Sequence, residues 1–267
     1  MNRRTHPLRV RTPSFRSRRL HGLDFRAETG RRGIGVHVQG RAKATRRSLL
    51  EAAAQLFEER GYAGTSISDI SALSGRTSGA IYFHYACKEN LALAVMEEVF
   101  DTWPTLVRRH READIPALEK LVALSFSVAR AFRDDVVVRG GSRLWAERKS
   151  VDTSLPSPFE GWIETVVGLL EEAGREGVLT PSVIPRKAGN AVVSAFFGLH
   201  TVSDALDGRE HIEERLHDLW LLLLPALQAR PGATSLLDRA YAHLAEASGT
   251  PAPAGPQVRK GTGTARR

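Results

Sequence analysis

Residues 49–91 read LLEAAAQLFEERGYAGTSISDISALSGRTSGAIYFHYACKENL, and the punctuation of this stretch decides the fold. Leu49, Leu50, Ala53, Leu56 and Phe57 recur three and four positions apart, which gathers them on one face of an α-helix. The pattern begins near Thr45, and Gly61 follows Arg60 as a C-terminal cap. Thr65 and Ser66 can cap a short helix starting near Ser68, with Asp69 three residues past Ser66 as in a capping box. That helix turns Ile67, Ile70 and Leu73 inward and stops at Gly75. Thr77 and Ser78 offer a fresh N-cap for a second short helix, through Ala80, Ile81 and Tyr82 to about Tyr85. A supporting helix followed by two short ones around a glycine-containing turn is the helix-turn-helix pattern. Its second helix matches the width of the DNA major groove, and Ser78, Gly79, Tyr82, Phe83 and His84 form the face to watch. A helical hairpin with no nucleic-acid partner shares the pattern.

The rest of the chain bounds the choice. At 267 residues it has room for one large domain or two small ones. Its 42% hydrophobic and 25% charged residues exclude a fibrous or wholly disordered class. The longest apolar run, Leu219 to Leu227, is nine residues long and interrupted by Pro225, less than half of the roughly 20 that cross a bilayer. No membrane partner is expected. The single cysteine, Cys87, allows neither an internal disulfide nor a cysteine-based zinc cluster, so a reducing cytoplasmic setting fits, and a small buried or half-exposed position is expected for it. No G-x-S-x-G, P-loop, H-E-x-x-H or Rossmann fingerprint is present. The closest histidines, His211 and His217, lie six residues apart and off one helical face. No catalytic, cofactor or metal site is therefore expected, and an all-helical enzyme is a remote alternative.

The net charge of +8 is uneven. Residues 1–48 carry 14 basic and 2 acidic side chains, residues 247–267 carry 4 and none, and the body between is net −8. Basic ends suit polyanions such as nucleic acid, and equally suit solvated tails. Residues 1–40 and 247–267 mix Arg, Gly, Pro, Ser, Thr and Ala without an apolar period and read as disordered.

With AAAQLFEERGY, TSISDISALSG and SGAIYFHYACKENL in place, the segment 50–91 resembles the DNA-binding part of the TetR family of bacterial repressors. Phe57, Gly61, Tyr62, Ile70, Gly75, Gly79, Tyr82, His84, Lys88, Glu89 and Leu91 carry the likeness. The form GAIYFHY, with GSRLWAE at 141–147, PFEGWIE at 158–164 and VVSAFFGLHTVSDAL at 192–206, resembles the γ-butyrolactone receptor branch. The resemblance implies an all-α homodimer that binds a pseudo-palindromic double-stranded DNA operator and leaves it when a small hydrophobic effector binds. It implies an N-terminal helix-turn-helix domain over 41–90 and a helical ligand-binding and dimerisation domain over 91–246. Alternatives within the family sense a drug or acyl compound, or no longer answer to the lactone.

Carried over residue by residue, the resemblance makes Thr77 the cap of the recognition helix, Tyr82, His84 and Lys88 phosphate contacts, and Gly79 a point of close backbone approach. Thr65, Ser66, Ser78 and Phe83 complete the expected DNA set. Ser78 departs from the family, which favours a long polar residue there, so it adds no charge. Residues 51–92 are net −2, which leaves Arg41, Lys43, Arg46 and Arg47 as the expected source of positive charge. Beyond Lys88, turn signals divide helices over about 88–110, 115–133, 136–150, 158–176, 185–206, 209–229 and 235–246. Wide apolar faces at Val192, Ala195, Phe196 and Leu199, and at Leu216, Leu219, Trp220 and Leu223, suggest helices buried on more than one side; the resemblance implies that they make a dimer interface, and packing inside the monomer is the alternative. Trp162 is the first expected ligand contact, then Trp145, with Phe126 and Phe196 as neighbours. The likeness begins near Val36, and valine can be encoded by a GTG start codon, so residues 1–35 are expected to derive from a start assigned too far upstream.

Overall fold

The computed structural model describes residues 34–150 and 158–248. The expected disordered stretches at 1–33 and 249–267, and the turn at Pro156, lie outside the described residues. Ten α-helices account for nearly all of what is described: α1 (Ile34–Arg60), α2 (Ile67–Ser74), α3 (Ser78–Tyr85), α4 (Lys88–Arg111), α5 (Ala117–Asp134), α6 (Val136–Ala146), α7 (Pro158–Arg175), α8 (Pro185–Asp207), α9 (Ile212–Leu227) and α10 (Ala233–Ser248). The chain divides into two units at Arg41 and Ala42, and the N-terminal unit contributes only the opening turns of α1 to the described residues.

Three boundaries differ from expectation. The first helix opens at Ile34, not near Thr45, so residues 34–40 are helical where disorder was expected. Lengthening an existing helix fixes one residue per hydrogen bond and avoids the cost of nucleation, so helix can extend beyond the apolar period that marks its core-facing part. The helix expected over 136–150 ends at Ala146 and finishes in a 3-10 turn, Arg148–Ser150. Finally, α9 begins at Ile212 because Gly208 and Arg209 both adopt positive φ, 62° and 72°, and close α8 in a left-handed turn. The expected domain boundary at 90/91 falls inside the first turn of α4, which continues unbroken to Arg111.

Two regions of core follow from these elements. Phe57 and Ile81 are fully buried with Leu49, Ile70 and Leu91, joining α1 to α4 around the helix-turn-helix. Below them α5 is buried on almost every side, wrapped by α4, α7, α9 and α10. Val192, Phe196, Leu216 and Trp220, expected to face a second protomer, are buried within the chain. The large apolar side chains that α8 and α9 leave exposed are Val202, Leu206 and Leu222. Helix α7 packs on α8, and α5 on α9, while Ala195, Leu199, Leu219 and Leu223 of the same faces are only half-buried.

Candidate functional site

The recognition helix is set by local chemistry. Ser66 Oγ accepts from the Asp69 amide at 3.1 Å while Asp69 Oδ2 accepts from the Ser66 amide at 3.1 Å, the reciprocal capping box at the start of α2. Gly75 ends α2 at φ 63°, a left-handed conformation that glycine takes without steric cost. Thr77 Oγ1 then accepts from the Ala80 amide at 3.2 Å and opens α3. Cys87, half-buried, caps α4 through a 3.5 Å contact from the Asn90 amide to its sulfur.

Burial sorts α3 into two faces. Ile81 and Tyr85 point into the core, and the Tyr85 hydroxyl donates to the Arg46 carbonyl at 2.9 Å. Tyr82 is 54% and Phe83 83% exposed, and Ser78 and His84 are half-exposed beside them. A Cβ added at Gly79 would meet only Thr77 Oγ1, at 3.8 Å, so this part of the helix backbone is open to close approach. These residues, with Ser66 and Thr77 at the exposed helix starts, form one accessible region.

Two expected DNA contacts are turned inward. Thr65 is 2% exposed, and its hydroxyl lies 3.1 Å from the Leu56 carbonyl and 2.9 Å from that of Gly61. The Lys88 ammonium donates to the Tyr62 and Thr65 carbonyls at 3.1 and 3.0 Å and lies 4.2 Å from the centre of the Tyr62 ring. The Thr65 hydroxyl ties the last turn of α1 to the loop after it, and Lys88 satisfies two carbonyls of that loop, those of Tyr62 and Thr65. They hold the frame of the helix-turn-helix. Arg47 is likewise engaged, with Glu51 at 2.6 Å and Glu98 at 2.8 Å, and both carboxylates push its pKa up. Arg46 is exposed, has no acidic partner among the described residues, and rests over the Tyr85 ring at 5.5 Å. Replacing Arg46 by alanine is expected to lower the slope of log K against log salt by about one phosphate's worth per DNA-bound protomer. Arg47→Ala is expected to change that slope less. Fluorescence anisotropy over a salt series with labelled duplex separates the two.

A second feature is an apolar cavity enclosed by α5, α7, α8 and α9, with an unfilled volume of about 40 Å³, room for a few waters. Trp162 and Phe196 line it, together with Ser125 and Trp220, which the sequence did not single out for this role. Trp220 sits in a leucine-rich run whose pattern gave no sign that its indole N–H meets Ser125 Oγ on α5, at 2.8 Å. Phe126 does not line the cavity: it is fully buried, against Tyr241 of α10 at 4.5 Å. Trp145 stands outside the lining too, edge-on to Phe159 at 5.0 Å and beneath the Arg148 guanidinium at 4.1 Å. Phe159 in turn meets Phe197, a cavity residue, at 4.9 Å.

Helix α6 packs against α1 and α4. A Cβ at Gly140 would overlap the backbone of Ala54 in α1, and one at Gly141 would come within 2.5 Å of Val99 Cγ2 in α4. Around these close approaches, Arg139 pairs with Glu58 at 2.6 Å, Arg143 donates to the Glu58 carbonyl at 2.8 Å, and Glu147 accepts from the Tyr62 amide at 2.9 Å. Arg209, buried in its left-handed turn, pairs with Asp204 at 3.1 Å and lies 3.9 Å from Glu58. Its Nε donates to His200 Nδ1 at 3.2 Å. Burial and Arg209 lower the His200 pKa to about 3, so the ring is neutral and able to accept. The His200 ring packs on Phe132, centres 3.9 Å apart, and Phe132 meets the cavity residue Phe197. A continuous run of contacts thus joins the cavity wall to the end of α1.

Comparison with known proteins names this arrangement. Residues 49–95 match the family model for bacterial regulatory proteins of the tetR family, and residues 115–229 that for the tetracyclin repressor-like C-terminal domain. Over 194 residues the chain is 34% identical to the A-factor receptor protein of Streptomyces griseus, covering 73% of this chain and 67% of that protein. The chain belongs to the tetR family. Among solved structures, a γ-butyrolactone receptor (ArpA-like protein) superposes with a TM-score of 0.64 at 30% identity, over 78% of this chain and all of that one. The tetR-family protein CprB of S. coelicolor A3(2), solved with its operator sequence, gives 0.67 at 31%, over 76% of this chain and 98% of that one. This tetR-family chain falls in the γ-butyrolactone receptor branch and is a ligand-responsive, DNA-binding regulator of transcription. Among the described residues no helix is long and apolar enough to cross a membrane.

Proposed function

We propose that the protein is a homodimeric repressor that reads a pseudo-palindromic operator with α3 of each protomer and is released when a small hydrophobic molecule of the γ-butyrolactone kind enters the cavity. The observation that carries this reading is the pairing of an exposed aromatic recognition face with a separate, almost wholly apolar cavity, linked through α6. Tyr82, His84 and the exposed Arg46 supply phosphate contacts, while Gly79 and Phe83 meet the groove. Two recognition helices about 34–36 Å apart can engage successive major grooves, and a ligand that changes that spacing prevents both from docking together. The exposed Val202 and Leu206 of α8, one turn apart, and Leu222 of α9 support a dimer face there, since large apolar side chains seldom cluster on a monomer's surface.

The cavity must widen to admit such a ligand, because about 40 Å³ is far below the few hundred a drug-sized molecule occupies. Spreading α5, α7, α8 and α9 moves Phe132 of α5, His200 of α8 and the turn that holds Arg209, and α6 with them. Because Gly140 and Gly141 leave no slack, a shift of α6 has to displace α1 or α4. That is the route by which ligand binding moves α3.

The reading is tested by mapping the genomic sites bound by the native protein and measuring release of those fragments by synthetic γ-butyrolactones. Trp162→Ala is expected to keep operator affinity within about threefold while raising the lactone concentration for half-release at least about tenfold. Wild-type response in this variant would remove Trp162 from the pocket. A monomer at all concentrations in light scattering would defeat the dimer.

A further inference from the structure

Between Glu51 and Ala92 the chain has three lysine or arginine side chains, Arg60, Arg76 and Lys88, and the recognition helix Ser78–Tyr85 has none. The fold engages two of the three. Lys88 donates to the Tyr62 and Thr65 carbonyls, and Arg60 faces Asp69, in the first turn of α2, at 3.8 Å. Arg76 is exposed and has neither an acidic partner nor a side-chain hydrogen bond among the described residues. Its backbone, by contrast, is tied on both sides. The Arg76 amide donates to the Ser71 carbonyl at 3.2 Å and to Ser74 Oγ at 3.3 Å, and the Ser71 hydroxyl donates to the Arg76 carbonyl at 2.5 Å. Both serines belong to α2, so Arg76 is pinned to the end of one helix and stands one position before Thr77, the cap of the next.

We propose that Arg76 is a DNA-backbone contact of this protein, its guanidinium holding one operator phosphate beside the start of α3. A phosphate is the partner its chemistry fits, since a guanidinium is a planar cation with five donors and no acceptor. Binding normally orders both backbone and side chain, and here the backbone is ordered beforehand. The neighbourhood favours the same anion. The first amides of α3, those of Ser78 and Gly79, have no partner inside the helix and lie at its positive end. A Cβ added at Gly79 would meet only Thr77 Oγ1, at 3.8 Å, so an oxygen can come close there. Such a contact sets the position of α3 without reading sequence, and it supplies the charge that α3 itself lacks. The inference rests on α3 docking in the major groove.

The test measures the anisotropy of a labelled operator duplex, taken from the mapped genomic sites, and of an unrelated duplex of equal length over a salt series. The whole chain is used, as wild type, Arg76→Ala, Arg76→Lys and Tyr82→Ala. Arg76→Ala is expected to lower the slope of log K against log salt by about 0.9 per DNA-bound protomer, and to weaken operator binding at least about fivefold near physiological salt. The unrelated duplex should lose affinity by a similar factor, because a phosphate is present in every sequence. Thermal midpoints should agree within a degree or two, since the side chain has no polar partner to lose. Arg76→Lys keeps the charge and should keep most of the slope.

An unchanged slope in Arg76→Ala overturns the inference, and if Tyr82→Ala has lost affinity in the same assay the docking of α3 stands. Loss confined to the operator, with the unrelated duplex bound as by wild type, also overturns it, because that pattern marks a base contact. A slope in Arg76→Lys as low as in the alanine variant counts against a charge contact. If neither Arg76→Ala nor Tyr82→Ala differs from wild type, docking by this face of α3 and the inference fall together.

Discussion

Replacing Tyr82 by alanine is expected to weaken operator binding at least about tenfold while shifting Tm by no more than a degree or two. The side chain is 54% exposed and its hydroxyl donates to nothing among the described residues, so its removal costs the fold little. In a complex the same hydroxyl reaches a phosphate oxygen and the ring covers the sugar, contacts that position α3 without reading sequence. A charge-assisted hydrogen bond of this kind contributes about 1.5–3 kcal/mol, and a two-fold symmetric protein loses it twice. Tyr82→Phe separates hydroxyl from ring and should recover part of the loss. Anisotropy with an operator fragment and scanning fluorimetry on the same samples decide the matter. Undiminished affinity in Tyr82→Ala would mean that α3 does not dock by this face.

Gly140→Val is expected to lower Tm by several degrees and to uncouple DNA binding from the ligand. Glycine inside a helix is ordinarily about 1 kcal/mol worse than alanine, so a substitution at an open helical position gains stability. At Gly140 the opposite holds, because the added carbon would lie 2.8 Å from the Ala54 Cα and carbonyl carbon, and backbone atoms cannot swing aside. Overpacking of this kind costs about 1–3 kcal/mol, which in a chain of this size is about 2–9 °C in Tm. Relief requires α6 to lift off α1, which also loosens the Arg139 pair with Glu58 and the Glu147 bond to Tyr62. Gly161, with nothing within 4 Å of its added Cβ, is the control, and Gly161→Ala should be neutral or slightly stabilising. Equal Tm for the two variants would show that α6 is not seated on α1.

Glycine pairs such as 140–141 carry a signal that helix patterning alone does not use. A glycine inside an apolar helical period usually marks a close approach, but what approaches lies 86 residues earlier in the chain, at Ala54. The same limit applies to the site residues. Thr77, Gly79, Tyr82, Phe83 and His84 stand on the exposed or half-exposed side of α3, as their spacing predicts, because each position is fixed by the local turn. Thr65 and Lys88 carry the residue types of a phosphate contact yet turn to carbonyls at the end of α1, and Arg47 is held by Glu98, 51 residues away. Trp220, one residue of a wide apolar face, meets Ser125 across 95 residues.

By itself the sequence determined the helices, their caps and the helix-turn-helix. These depend on hydrogen bonds and apolar contacts three or four residues apart, and Ser66, Asp69, Gly75 and Thr77 make their capping hydrogen bonds within that range. Only the tertiary structure decided which cations remain free for DNA, which tryptophan faces the cavity, and how the cavity reaches α1. A side chain's partner is whatever donor or acceptor the packing brings within about 3 Å, and composition and period carry no record of that distance.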